Sequence, residues 1–154
     1  SYLSWQVRRR LGHSFRFVEL ANDVNDHMPD YVVRRLMAAL NRRGEAVQGR
    51  RILLLGVSFK RNVGDCREAP SRRIAGLLAD MGAELHACDP HVDVGEFPSG
   101  VMPVELTADE LAAADAVLAL VDHDAFDAQA VVRHARYVLD TRGWLPAGGN
   151  VERL

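Results

Sequence analysis

The chain has 154 residues, 48% hydrophobic and 26% charged, with 19 basic side chains against 21 acidic ones and a formal charge of −2. That length and mixture can bury one core of ordinary size and exclude a disordered, collagen-like or disulfide-scaffold chain. A charge so near zero speaks against a nucleic-acid partner, and no apolar run approaches the roughly 20 residues of a membrane span. The start SYLSWQVRRR lacks the apolar stretch of a signal peptide, and the two cysteines, Cys66 and Cys88, form no CxxC pair and no metal-binding spacing. Reduced thiols, no bound metal, no membrane partner and a cytoplasmic location are therefore expected, and Ser1 in place of Met reads as the start of a fragment.

Along the chain, residues 1–11 present Leu3, Val7 and Leu11 on one helical face, closed by Gly12. A longer helical pattern covers 15–40, with Phe17, Leu20, Ala21 and Val24, then Val32, Val33, Leu36, Met37 and Leu40, before Gly44. Pro29 inside it predicts a kink or the start of a second helix. Beyond Gly49 the pattern becomes short apolar runs separated by helices. The runs are 52–57, 84–88, 116–121 and 137–139, with a weaker one at 101–106. Near-continuous apolar strands alternating with helices predict a parallel sheet covered on both faces. One helix opens at Pro70 and carries Ile74, Leu77, Leu78 and Met81 before Gly82; the next opens with the capping box Thr107-x-x-Glu110. A last helix, predicted from about Asp124, buries Phe126 and Val131 or Val132. The expected fold is α/β: a helical arm over residues 1–47, then a doubly wound, mostly parallel, Rossmann-like sheet of five strands over 48–154.

In such sheets ligands bind beyond the strand carboxyl ends, where strand order reverses; for the order 3-2-1-4-5 that is between the first and fourth strands. The residues falling there are Gly56-Val57-Ser58-Phe59-Lys60 and Asp122-His123-Asp124, with Asp140-Thr141-Arg142-Gly143 beside them. Neither a GxGxxG nor a P-loop is present, so no nucleotide fingerprint decides the ligand. Charge narrows it instead. Residues 58–73 carry Lys60, Arg61, Arg67, Arg72 and Arg73 against Asp65 and Glu68, a local +3 in a chain of charge −2. With Arg142 and the helix start at Pro70, this suits a phosphate or diphosphate.

Arg72 and Arg73 read as a solvated helix face, whereas Lys60 and Arg67 lie in the 12-residue loop 58–69, longer than the usual connection, and read as ligand-facing. Lys60 stands out as the single Lys among 18 Arg. A compact ammonium fits where a planar guanidinium does not. Asp89, followed by Pro90, reads as a turn residue, and His123 as a surface side chain before an N-cap at Asp124. Cys66 has no histidine in its loop to activate it and reads as an ordinary thiol. Trp5 and Trp144 are expected at the seam between arm and sheet. On the residues alone, a non-enzymatic dimerisation module built on helix 15–40 and a stand-alone phosphoryl-ligand domain anchored by Lys60 both stay open.

The segment GVSFKRNVGDCREAPS at 56–71 resembles a block of the UDP-glucose/GDP-mannose dehydrogenases at nearly every position. Asp89-Pro90-His91-Val92, Asp122-His123 and Asp140-Thr141-Arg142 add to the resemblance, as do Tyr2-Leu3-x-Trp5 and Asn25-x-x-Met28-Pro29-x-Tyr31-Val32-Val33 upstream. The MPxYVV and DPHV details look most like the branch acting on UDP-N-acetylhexosamines, with UDP-glucose enzymes close. The resemblance implies the carboxyl-terminal part of an enzyme that oxidises the C6 alcohol of a UDP-sugar to a carboxylate with two NAD⁺, through a cysteine thioester. It implies that Phe59, Lys60 and Arg142 contact the UDP-sugar and that Arg67 reaches the NAD side. It also implies a homodimer through the helical arm. The catalytic cysteine is expected upstream of Tyr2 and the main NAD domain outside this chain, so the fragment alone is expected to be inactive. Gly143 departs from the family's more frequent Asn or Arg.

Overall fold

The computed structural model describes residues 16–154; the expected helix over 1–11 and Trp5 lie outside the described residues. Helix α1 (Arg16–Arg42) is followed by β1 (Arg51–Leu55), α2 (Pro70–Asp80), β2 (Glu84–Cys88), a 3₁₀ turn at Val94–Glu96 and β3 (Val101–Pro103). Then come α3 (Ala108–Ala113), β4 (Ala116–Ala119), α4 (Ala128–His134), β5 (Val138–Asp140) and β6 (Val151–Arg153). The strands form one sheet in the order β3-β2-β1-β4-β5-β6, every neighbouring pair parallel.

Period-two alternation along the strands explains the two layers of core. Ile52 and Leu54 of β1, with Leu118 of β4 and Leu139 of β5, face the side covered by α1 and α2. Leu53 and Leu55, with Val117, Ala119 and Val138, face α3 and α4. All of these are fully buried, and each large side chain among them contributes about 1.5–3 kcal/mol by leaving water. The arm joins the first layer through Val32, Val33, Leu36 and Leu40. The helix runs on through Pro29 as one element, so no second helix starts there. The missing N–H removes one helical bond, and the buried turns beyond Pro29 hold the helix. The N-terminal half of α1, by contrast, leaves Phe17, Leu20 and Val24 more than half exposed.

Four details differ from the sequence reading. The sheet has six strands, not five: β6 is three residues long, and the connection from β5 contains no helix to flag a crossover. Helix α4 starts at Ala128 with Asp127, not Asp124, as its N-cap, Asp127 accepting from the Gln129 and Ala130 amides. Trp144 stacks on Phe126, with centroids 6.4 Å apart, on the α3/α4 side and away from the arm. Thr107 caps α3 as expected, but the Glu110 carboxylate meets buried His86 at 2.7 Å.

Besides its ladder with β5, β6 is tied by polar side-chain bonds, two of them from the arm. Glu152 accepts from Arg35 (2.6 Å), Arg42 (2.7 Å) and the Tyr137 hydroxyl (3.0 Å). The Arg35 bond holds the Glu152 carboxyl below its usual range against partial burial, with help from Tyr137 and Arg42. A carboxylate with a depressed folded pKa stabilises above its unfolded pKa, and that contribution is lost as pH falls through the folded value. Melting temperatures of the wild type and Glu152→Gln should therefore differ at neutral pH and converge below about pH 4. A gap persisting unchanged at pH 3 would contradict this.

Candidate functional site at the strand carboxyl ends

Three loops converge beyond the ends of β1, β2 and β4. Gly56 makes the close approach possible: its φ is +80°, and a Cβ there would lie 2.4 Å from Val121 Cβ. Past Gly56, the Val57 and Ser58 amides donate to Asp89 Oδ2 at 2.8 and 3.0 Å, and Asp89 Oδ1 accepts from the His91 amide at 2.9 Å. Burial pushes the Asp89 carboxyl up, but the bonds from His91, Val57, His123 and Ser58 outweigh it and hold the group below its ordinary value. His123, expected at the surface, is buried: Nε2 lies 3.0 Å from Asp89 Oδ2, and Nδ1 accepts from the Asn62 amide at 2.9 Å. Asn62 and Asp124 complete the stitch, the Asn62 side-chain amide donating at 2.7 Å and the Asp124 amide returning a bond at 3.1 Å.

Most of the positive charge read from residues 58–73 is used inside the protein. Arg61 pairs with Asp124 and lies 3.7 Å from Asp122. Arg67 makes a two-pronged pair with Asp65 at 2.8 and 3.1 Å and holds that carboxyl down to about 2. Arg72 donates to the carbonyls of Cys66 and Glu96, and Arg73 reaches Asp30 on the arm at 2.9 Å. Both are exposed on the helix, as expected, but each is tied to a partner rather than free. Among the described residues, the Lys60 ammonium is the one cation of this stretch without a hydrogen-bond or ion-pair partner. Cys66 is buried, its thiol donating to the Glu96 carbonyl at 3.0 Å.

On the α1/α2 side of the stitched loops lies a pocket of about 420 Å³. Asn25, Met28, Pro29 and Val32 of the arm form one wall. Ser58 and Phe59 after β1, Pro70 and Ser71 at the start of α2, and Thr141 and Arg142 after β5 form the others. Phe59 is 54% exposed, an apolar ring left at the rim, and Lys60 follows it in the chain, exposed but not part of the wall. Arg142 is set by buried Asp140, whose Oδ1 accepts from the Arg142 and Gly143 amides at 3.0 and 2.8 Å, and its Nε donates to the Leu120 carbonyl. A second concavity of about 450 Å³ is lined by Phe59, Asp65, Arg67 and Glu68, so Phe59 borders both and Arg67 only this one. The start of α2 has no side-chain cap, a favourable end for an anion.

Residues 53–147 match the UDP binding domain of the UDP-glucose/GDP-mannose dehydrogenase family. The chain belongs to this family. A UDP-N-acetyl-D-mannosamine dehydrogenase from Methanococcus maripaludis is 36% identical over 112 residues, covering 72% of this chain and 24% of the relative. An NDP-N-acetyl-D-galactosaminuronic acid dehydrogenase from Ralstonia nicotianae is 36% identical over 144 residues, covering 90% of this chain and 32% of the relative. The crystal structure of an NDP-N-acetyl-D-galactosaminuronic acid dehydrogenase from Methanosarcina mazei superposes with a TM-score of 0.72 at 26% identity, over 88% of this chain and 30% of that one. The chain thus spans about a quarter to a third of the length of these family members.

Phe59, Lys60, Arg67 and Arg142 all fall inside the family's UDP binding domain. Two groups of residues at the site escaped the sequence reading: the arm residues in the pocket wall, and the Asp89–His123 pair beneath the loop. The available signal for the pair was its placement, since each residue follows a strand that flanks β1.

Proposed function

We propose that this chain is the UDP-sugar-holding part of an NAD-dependent UDP-sugar 6-dehydrogenase, without turnover of its own. The observation that carries the reading is the pocket beyond β1 and β4 that brings Phe59 and Arg142 together, with the exposed, unpaired Lys60 next to Phe59 in the chain. Lys60 supplies a free positive charge for the diphosphate, Arg142 a guanidinium oriented by the Leu120 carbonyl and Asp122 on a backbone fixed by Asp140, and Phe59 an apolar face at the rim. The names of the relatives favour a UDP-N-acetylhexosamine over UDP-glucose as the sugar nucleotide. The division into an arm over 1–47 and a UDP-holding domain over 48–154 belongs to the same reading.

NAD fits only at the edge of this chain: the exposed Arg67 guanidinium, in the open concavity beyond Phe59, is the group that would hold it. When bound, NAD supplies the acceptor for hydride from the sugar carbon. The reacting cysteine and the main NAD site belong, in this reading, to the rest of the enzyme. The exposed Phe17, Leu20 and Val24 on α1 support a homodimer through the arm, which two such stripes can bury together. No described helix is long and apolar enough to cross a membrane.

Calorimetric titration of the chain with UDP, a UDP-N-acetylhexosamine and NAD⁺ at matched salt tests the reading. UDP and the UDP-sugar should bind more tightly than NAD⁺ or sulfate. Binding of UDP no tighter than sulfate would overturn it.

A further inference from the structure

The segment 58–62, which carries Phe59 and Lys60, is fixed at both ends by one buried unit. At its start, Asp89 Oδ2 takes the Val57 and Ser58 amides; at its end, His123 Nδ1 takes the Asn62 amide at 2.9 Å. The two side chains are joined, Nε2 to Oδ2, at 3.0 Å, and both are 0% exposed. An imidazole whose Nδ1 accepts a backbone N–H while Nε2 faces a carboxylate has one consistent state, neutral with its proton on Nε2. Both ring nitrogens are then committed: one to the anion under the start of the segment, the other to the amide at its end. Asn62 meets that bond in a left-handed conformation, φ 57°, and the Ser58 hydroxyl bonds the Lys60 carbonyl at 3.1 Å across the bend.

We propose that the Asp89–His123 pair is a positioning unit for UDP-sugar binding, setting the backbone that presents Phe59 and Lys60 without touching the ligand. This rests on the reading of Phe59 and Lys60 as UDP-sugar contacts. A merely structural pair would stabilise the fold and leave affinity in step with stability. Two amide substitutions at this site, which is packed against the rings of Phe126 and His91, separate these roles, because each keeps one of the two bonds and loses the other. In His123→Asn the amide oxygen stands at the position of Nδ1 and can still accept from Asn62, while the donor to Asp89 is lost. In His123→Gln the longer side chain can still donate to Asp89, and the Asn62 amide is left without its acceptor.

The experiment measures the melting temperature and the calorimetric UDP affinity of the wild-type chain and both variants. Both variants should melt below wild type, His123→Asn the lower of the two because it leaves the larger void and strips the donor from Asp89, yet His123→Gln should bind UDP about 5- to 10-fold more weakly than wild type, while His123→Asn stays within about 2-fold. Wild-type binding with an equal loss in both variants, with no loss in either, or with the larger loss in His123→Asn, would overturn the inference alone. A wild-type chain that does not bind UDP would overturn the reading beneath it and take the inference with it.

Discussion

Lys60→Ala is expected to weaken UDP binding about 10- to 100-fold while leaving the melting temperature unchanged, because a charge-assisted hydrogen bond contributes about 1.5–3 kcal/mol. The separation follows from what the neighbouring cations do. Arg61, Arg67 and Arg73 are held by Asp124, Asp65 and Asp30, and Arg72 by two carbonyls, so removing any of them strands a partner. Lys60 is exposed and unpartnered among the described residues, so its removal strands nothing in the protein. Surface changes of that kind stay within about 0.5 kcal/mol of neutral. Lys60→Arg keeps the charge and replaces a compact ammonium with a planar fork; binding should still fall several-fold. Near-normal UDP affinity in Lys60→Arg would mean that charge alone matters there. Paired calorimetry and thermal melting check all three proteins.

Gly56→Ala should cost the fold about 3–5 kcal/mol, combining the strain of a left-handed alanine with overpacking. The Cβ it adds meets Val121 Cβ at 2.4 Å, an atom fixed to the backbone of the loop leaving β4. Relief requires the β1 and β4 loops to part, which also opens the stitch between Asn62 and Asp124. A loss of that size is a large share of the roughly 5–15 kcal/mol that holds a domain together. Gly76→Ala is the matched control. It lies mid-helix in α2 with nothing within 4 Å of the new Cβ, and should stabilise by about 0.5–1 kcal/mol. Urea unfolding of both variants measures the contrast; a Gly56→Ala chain as stable as wild type would refute the packing argument.

The parallel order and its switch point were legible because β1 and β4 are near-continuous apolar runs and the helix after β1 has a clear start at Pro70. The site location came from that order, and the family block around Lys60 supplied its chemistry. β6 was not legible: its three residues include Glu152 and Arg153, and its ladder with β5 is reinforced by carboxylate ties to Arg35 and Arg42, more than a hundred residues away in the chain. The charge tally over 58–73 overstated the free cations for the same reason, since Asp30 and Asp124, which neutralise Arg73 and Arg61, lie outside that window. His123 and Asp89 each carry a local signal of turn or surface. Only the meeting of two loops over the end of β1 makes them a buried pair. Trp144 went to the α3/α4 side because the backbone after Asp140 is set by that buried carboxylate, a long-range constraint that residue periodicity does not carry.

The most direct test of the account is the map of amide chemical-shift changes when UDP is titrated into the ¹⁵N-labelled chain. The changes should concentrate at residues 58–60, at Ser71, at 141–143 and at Asn25 and Met28 of the arm wall. Changes centred instead on the opposite-face cavity lined by Cys88, Leu106 and Phe126, or none at all, would contradict it.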